Sequence, residues 1–282
     1  MTTYDYHAAG TLDEALDLAA RYGEDAHLMA GGTALVLLMK QGLIRPAHVI
    51  GLRGARELQG IRREKDGSAN SPGGTLRIGA LVTHREAERL PEVRAHCAAL
   101  AETFARVATI RIRNQATVGG NLAHADPAQD PPPMLMALGA EVLIGSRDRA
   151  RTAAVDELFT DAFTTVLEPG EILREIRVPA LPAGARATYL KFLPRTADDY
   201  ATVSVAAVAS DGRVRVALGG VGSTPIRARG VERAIANGAS IDDAAAQVRT
   251  EIEPIDDARG SAAYKREMAR VWTARALRHV LS

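Results

Sequence analysis

The residues best suited to chemistry are two short glycine runs. Gly31-Gly32-Thr33 follows the apolar stretch His27-Leu28-Met29-Ala30, and Thr117-Val118-Gly119-Gly120-Asn121 follows Arg113-Asn114-Gln115-Ala116. Glycine admits positive φ and lets another group come close to the peptide. The flanking Thr and Asn add a hydroxyl and an amide. A loop of this composition can aim its N–H groups at an anion. A single Gly-Gly pair also makes an ordinary turn, so neither run is decisive alone. Neither completes a known phosphate fingerprint. Gly31-Gly32-Thr33 lacks G-x-G-x-x-G, and no lysine follows it as a P-loop requires, which disfavours a Rossmann NAD site and a Walker site. Two such loops suggest a ligand with two phosphates. One helix N-terminus near an anion contributes only ~0.3–1 kcal/mol, up to ~2 when partly buried. A dinucleotide held tightly therefore needs both loops and a buried ring system.

Other reactive side chains form no catalytic set. No Ser-His-Asp or paired-carboxylate arrangement stands out. His84 has no metal-ligand companion at suitable spacing, and His124, on a loop, is expected in solvent. The single cysteine, Cys97, excludes an internal disulfide and a thiolate-ligated iron–sulfur cluster held by this chain alone. It reads as a small buried apolar residue. Only four of the 35 Lys and Arg residues are lysine (Lys40, Lys65, Lys191, Lys265), leaving 31 arginines. A lysine kept in so arginine-biased a chain suggests a compact ammonium where a guanidinium fork would not serve.

The elements around these runs follow from periodicity and punctuation. Thr11 caps a helix from Leu12 that Gly23 ends, with Leu12, Ala15, Leu16 and Ala19 on one face. A short strand to Ala30, the glycine turn and a helix over Leu35–Met39 place the first run between strand and helix. Val49–Leu52 reads as a strand, and Leu58–Gly79 as a hairpin with its tip at Lys65–Gly74. Thr83 and Glu86 form a capping box for a helix over Arg85–Leu90. A helix from about Pro91 to Val107 leads to the second run, and Met134–Leu138 forms another before a strand at Glu141–Ile144. Glu171–Pro179 alternates as a strand. After Pro179–Gly184, a plausible boundary, three antiparallel strands (Thr188–Phe192, Val203–Ser210, Val214–Gly220) precede helices at Val231–Ala236, Ile241–Ile252 and Ala262–Leu281. The fold class expected is α+β.

At 282 residues the chain suits one large domain or two medium ones. With 46% hydrophobic and 24% charged residues it is an ordinary globular composition. A net charge of +1 and 4% aromatic residues argue against nucleic acid as a partner. No apolar run reaches the ~18 residues of a membrane span, and no secretory signal opens the chain. A cytoplasmic protein is expected, with partners able to place it at a membrane.

These motifs carry a resemblance over nearly the whole chain. Ala30-Gly31-Gly32-Thr33, Ile110-Arg111-Ile112-Arg113-Asn114-Gln115-Ala116-Thr117-Val118-Gly119-Gly120-Asn121, Pro169-Gly170-Glu171-Ile172-Leu173, Tyr189-Leu190-Lys191-Phe192, Asp198-Asp199-Tyr200-Ala201 and Gly260–Arg266 resemble the FAD-binding medium subunit of molybdenum hydroxylases, the group of xanthine dehydrogenase and carbon monoxide dehydrogenase. The resemblance implies a two-subdomain FAD-binding domain of the PCMH type at residues 1–178 (about 1–55 and 56–178). A C-terminal domain at 179–282, a three-stranded antiparallel sheet with a helix bundle, would follow. It implies a pyrophosphate wrapped by Leu28, Met29, Ala30, Gly31, Gly32, Thr33, Ala34 and Leu35, and a cradle completed by Ala108, Thr117, Gly119, Gly120 and Asn121. Asp130 would bind the adenosine side, Leu173 would pack near adenine or ribose, and Lys191 and Tyr200 would lie at the isoalloxazine. Ala34 departs from the polar or acidic side chain usual there, and His124-Ala125-Asp126 from an Ala-Ser pattern. The partners implied are a large subunit with the molybdenum cofactor and a small subunit with two [2Fe–2S] clusters, assembled as a dimer of heterotrimers. This chain would pass their electrons to an external acceptor. The alternatives are a stand-alone FAD-dependent oxidoreductase and a flavin-free scaffold of the same fold.

Overall fold

The computed structural model describes residues 3–64, 73–193, 196 and 198–282; of the hairpin tip expected at 65–74, residues 65–72 lie outside the described residues. The first unit comprises β1 (Asp5–Ala8), α1 (Leu12–Tyr22), β2 (Ala26–Met29), α2 (Leu35–Lys40) and β3 (His48–Gly51). Its strands are parallel in the order β1-β3-β2. Thr11 caps α1 by accepting the Glu14 N–H, and Asp13 and Glu14 complement the positive end of the helix dipole. Leu12, Ala15, Leu16 and Ala19 fall on one helical face and pack against Ile50, Leu52 and Leu58. Burying each such leucine contributes about 1.5–3 kcal/mol.

The second unit comprises β4 (Ile61–Glu64), β5 (Thr75–Gly79), α3 (His84–Arg89), α4 (Pro91–His96), α5 (Ala98–Ala105), α6 (Ile110–Arg113), α7 (Val118–His124) and α8 (Pro131–Leu138). It continues through β6 (Glu141–Gly145), β7 (Ala150–Ala154), the short ribbon β8 (Phe159–Asp161) and β9 (Thr164–Thr165), and β10 (Ile172–Pro179). Five of these strands make an antiparallel sheet in the order β4-β5-β10-β6-β7. The capping box of Thr83 and Glu86 is present on α3. The helix expected from Pro91 to Val107 is two helices. Cys97 takes extended dihedrals (φ −156°), and the break lets Val93 on α4 and Leu100 and Phe104 on α5 enter one core.

The third unit comprises β11 (Arg186–Phe192), β12 (Val203–Ser210), β13 (Arg213–Gly219), β14 (Ile226–Arg227), α9 (Arg229–Ala236), α10 (Ile241–Ala246) and α11 (Ala262–Leu281). The short β14 adds a fourth strand to the three expected, pairing along Ala217 and Leu218. One face of this sheet packs on α9, α10 and α11 through Val203, Val205 and Leu218. Its other face, Tyr189, Ala206, Val208 and Ala217, joins the core of the second unit. The helix in that joint is α8, every residue of which is buried. A helix apolar on all sides is explained by such a position between two sheets.

Candidate functional site

The fold brings the two glycine runs into contact. A Cβ on Gly31 would lie 1.9 Å from the Gln115 carbonyl oxygen, so only glycine lets the two backbones meet there. Gly32 has φ +72°, a left-handed conformation that glycine adopts without strain. The second run is not the open loop its composition suggests. Thr117 is the N-cap of α7, its hydroxyl accepting the Gly120 N–H at 3.1 Å, and Gly119 and Gly120 are helical. Gly119 is required because a Cβ would sit 2.5 Å from Ala80 Cβ. The Val118 and Gly119 N–H groups donate to the Val82 and Ala80 carbonyls at 2.9 Å each. The first donors of α7 are therefore spent within the protein. By contrast, among the described residues the N–H groups of Gly31, Gly32 and Thr33 donate to nothing in the chain. The first run offers the free donors; the second holds them in place.

One opening borders this contact, and a second is lined by other residues. A cavity of about 290 Å³ is lined by Ala30, Gly31, Asn114, Gln115 and Thr117 together with Arg53, Thr83 and Glu86. A larger cleft of about 740 Å³ lies where the second unit meets the third, lined by Asp126, Pro127, Phe163, Tyr200, Gly220 and Arg259. Tyr200 is 52% exposed on its rim. His124 is half-buried and packs at a 49° tilt against Phe163 with centroids 5.3 Å apart, rather than standing free in solvent; burial holds its imidazole below the usual range. Phe163 and Ala125 both have positive φ (58° and 54°) and are joined by the Phe163 N–H to the Ala125 carbonyl. Left-handed non-glycine residues cost roughly 1–3 kcal/mol each and concentrate at functional sites.

The joint beneath this cleft is polar. The Tyr189 hydroxyl donates to Asp130 Oδ1 at 2.5 Å and the Lys191 ammonium donates to Asp130 Oδ2 at 3.0 Å. Lys191 also donates to the Arg106 carbonyl at 3.0 Å. Burial pushes the Asp130 carboxyl up, while Lys191 and the Tyr189 hydroxyl pull it back down; burial and the Asp130 charge push the Tyr189 phenol well up. Asp130 and Lys191, expected to serve opposite ends of one ligand, are in direct contact with each other. A carboxylate this buried needs its counter-charge in direct contact, and Lys191 supplies it.

Ala108 has φ 38°, and the Arg113 guanidinium donates to the carbonyls of Val107 (2.9 Å) and Ala108 (2.7 Å). Glu88, nearly buried, holds Arg113 at 2.8 Å and is also paired with Arg85. This clamp fixes the left-handed turn. Leu28, Met29, Ala30, Thr33, Ala34 and Leu35 are all partly exposed around the first run. Leu173 lies in the main core on β10. Asn121 leaves its buried Oδ1 without a partner beside the glycine contact. Sequence reasoning missed Tyr189, Glu88 and Arg106. The Tyr-x-Lys spacing on a strand, which puts both side chains on one face, could have flagged Tyr189. Nothing local marks Glu88.

Free N–H donors at the first run, an unpartnered amide oxygen at Asn121 and the buried Lys191 ammonium are polar groups of the kind that a dinucleotide such as FAD engages. Comparison with known proteins agrees. Residues 2–181 match the family model described as the FAD binding domain in molybdopterin dehydrogenase, and residues 188–280 match the CO dehydrogenase flavoprotein C-terminal domain. The carbon monoxide dehydrogenase medium chain of Hydrogenophaga pseudoflava is 35% identical over 97% of this chain and 96% of that one. The glyceraldehyde dehydrogenase medium chain of Sulfolobus acidocaldarius is 30% identical, covering 98% of each. The solved carbon monoxide dehydrogenase of Hydrogenophaga pseudoflava that lacks the Mo-pyranopterin moiety of its cofactor superposes with a TM-score of 0.91 over 99% of this chain and 97% of its own. With the site geometry and both family models in agreement, the chain belongs to the FAD-binding medium subunits of the molybdopterin-dependent dehydrogenases.

Proposed function

We propose that this chain binds FAD across the Gly31–Gln115 contact and relays electrons within a multi-subunit dehydrogenase. The observation that carries the reading is the set of unspent N–H donors at Gly31, Gly32 and Thr33, pinned against the second run. These groups would bind the pyrophosphate. The left-handed turn at Ala108 and the Asn121 amide would border it, while Asp130 and Lys191 together would face the ring end. Lys191 has three N–H donors, two of which are used by Asp130 and Arg106. The third is available to a ring carbonyl, where a cation stabilises developing negative charge. FAD, when bound, supplies a centre able to exchange electrons with both one- and two-electron partners. The residues of this chain bind it, orient it and exclude water from the Asp130–Lys191 side; no general base is needed.

In this reading, electrons arrive from two [2Fe–2S] clusters on a small partner subunit after substrate oxidation at a molybdenum cofactor in a large one. They leave from this chain to an external acceptor, and the assembly is a dimer of heterotrimers. The single cysteine supports placing the clusters on another chain, since this one lacks the thiolates to hold them. The reading is tested by isolating the complex through this chain and assaying flavin, iron and molybdenum. Stoichiometric flavin with iron on a separate chain is the expected result. Substrate turnover by this chain alone would overturn the relay role in favour of a stand-alone oxidoreductase.

A further inference from the structure

Asp130 is gripped from across the domain joint. It stands at the start of α8, while both its partners come from β11. Tyr189 and Lys191 are two residues apart on that strand and so share a face, whereas Leu190 between them turns to the core of the third unit. All three polar side chains are buried: Tyr189 is 9% exposed, Lys191 8% and Asp130 5%. Tyr189 occupies Oδ1 and Lys191 occupies Oδ2. Lys191 then reaches the Arg106 carbonyl, two residues before the left-handed Ala108. A continuous path of hydrogen bonds therefore runs from Tyr189 through Asp130 and Lys191 to the Arg106 carbonyl, at the entry to the left-handed turn at Ala108.

We propose that Tyr189 is a positioning residue for the cofactor site, acting through Asp130 on Lys191 and, through the Arg106 carbonyl, on the turn at Ala108. The inference rests on the FAD reading above. With the phenol oxygen gone, Asp130 Oδ1 lacks a donor, and the carboxylate recentres on the ammonium. Lys191 is then drawn away from the Arg106 carbonyl, and residues 106–108 lose their tether. Tyr189→Phe keeps the ring in its packing and removes only the hydroxyl.

The test is FAD titration with visible spectra of the bound flavin, on the full chain within its assembly, for the parent, Tyr189→Phe, Asp130→Asn and the double variant. Tyr189→Phe should weaken FAD about tenfold, the scale of one charge-assisted hydrogen bond, and shift the flavin bands. The double variant should lose no more than the weaker-binding single one, since both act on one carboxylate. Parental affinity and spectrum in Tyr189→Phe, even with a lowered unfolding temperature, would overturn the proposal. Additive losses would overturn it too. Should Tyr189→Phe fail to fold, Asp130→Asn decides, because it leaves the phenol in place and removes the charge through which Tyr189 acts on Lys191. Weaker FAD binding in that variant supports the proposal and parental binding overturns it. If the parent itself takes up no FAD, the functional reading has failed rather than the role of Tyr189.

Discussion

A methyl group at Gly31 would meet the Gln115 carbonyl at 1.9 Å, a clash with backbone that no side-chain rotation relieves. Gly31→Ala is expected to part the two runs, abolish FAD uptake and lower stability by about 1–3 kcal/mol, the usual cost of overpacking; flavin content and urea unfolding check both. His84 gives a separate prediction. It is fully buried, and burial first, then the Arg113 charge, holds its pKa at about 3 instead of 6.5. The folded state thus keeps this imidazole neutral where the unfolded chain takes up a proton. Stability is unaffected by this group above pH 6.5 and falls as the pH drops towards 3, by up to about 1.4 kcal/mol per pH unit. His84→Leu should flatten that slope in unfolding measured from pH 7 to pH 4. An unchanged slope would mean another group dominates. The residues of the first run were legible in the sequence because strand, glycine pair and helix punctuate one another. The role of the second was not, because Gly119 serves a close approach to Ala80 and Gly120 one to Thr117, neither with a positive φ.

At the scale of elements, α7 and α6 decide whether the cradle keeps its shape. Thr117→Ala removes the N-cap of α7 and leaves the Gly120 N–H without its acceptor. A loss of about 1 kcal/mol is expected, with FAD affinity falling in parallel because the same turn supports Gln115. Thermal unfolding with and without FAD measures both effects. Arg113→Met should be costlier. It strands the nearly buried Glu88 carboxylate and releases the carbonyls at 107 and 108, at ~3 kcal/mol, the low end for breaking a buried pair because Arg85 remains on Glu88. The strands and most helix starts follow from alternation and capping residues, as Thr11, Thr83 and Ser261 illustrate. The break at Cys97 and the added β14 do not, since both answer to tertiary packing that no local pattern encodes.

For the whole molecule the informative feature is the buried joint around α8. An eight-residue apolar helix between two sheets makes the FAD-binding and C-terminal regions share a core, and the pair Asp130–Lys191 is the charged pin within it. Sequence reasoning reached Asp130 and Lys191 separately, through resemblance, and assigned them to different ends of the ligand. Only the fold shows that they meet. Movement of the joint should therefore be felt at the cofactor, and FAD should stabilise both regions together, by about 2.7 kcal/mol at a hundredfold excess over its dissociation constant. The most direct test is the flavin content of the complex isolated through this chain, compared between the parent and Gly31→Val. Stoichiometric FAD in the parent, with loss of FAD from a variant chain that still folds and assembles, is the result expected. A parent complex without flavin that takes up none when FAD is added, or a Gly31→Val complex that retains it in full, would contradict the account.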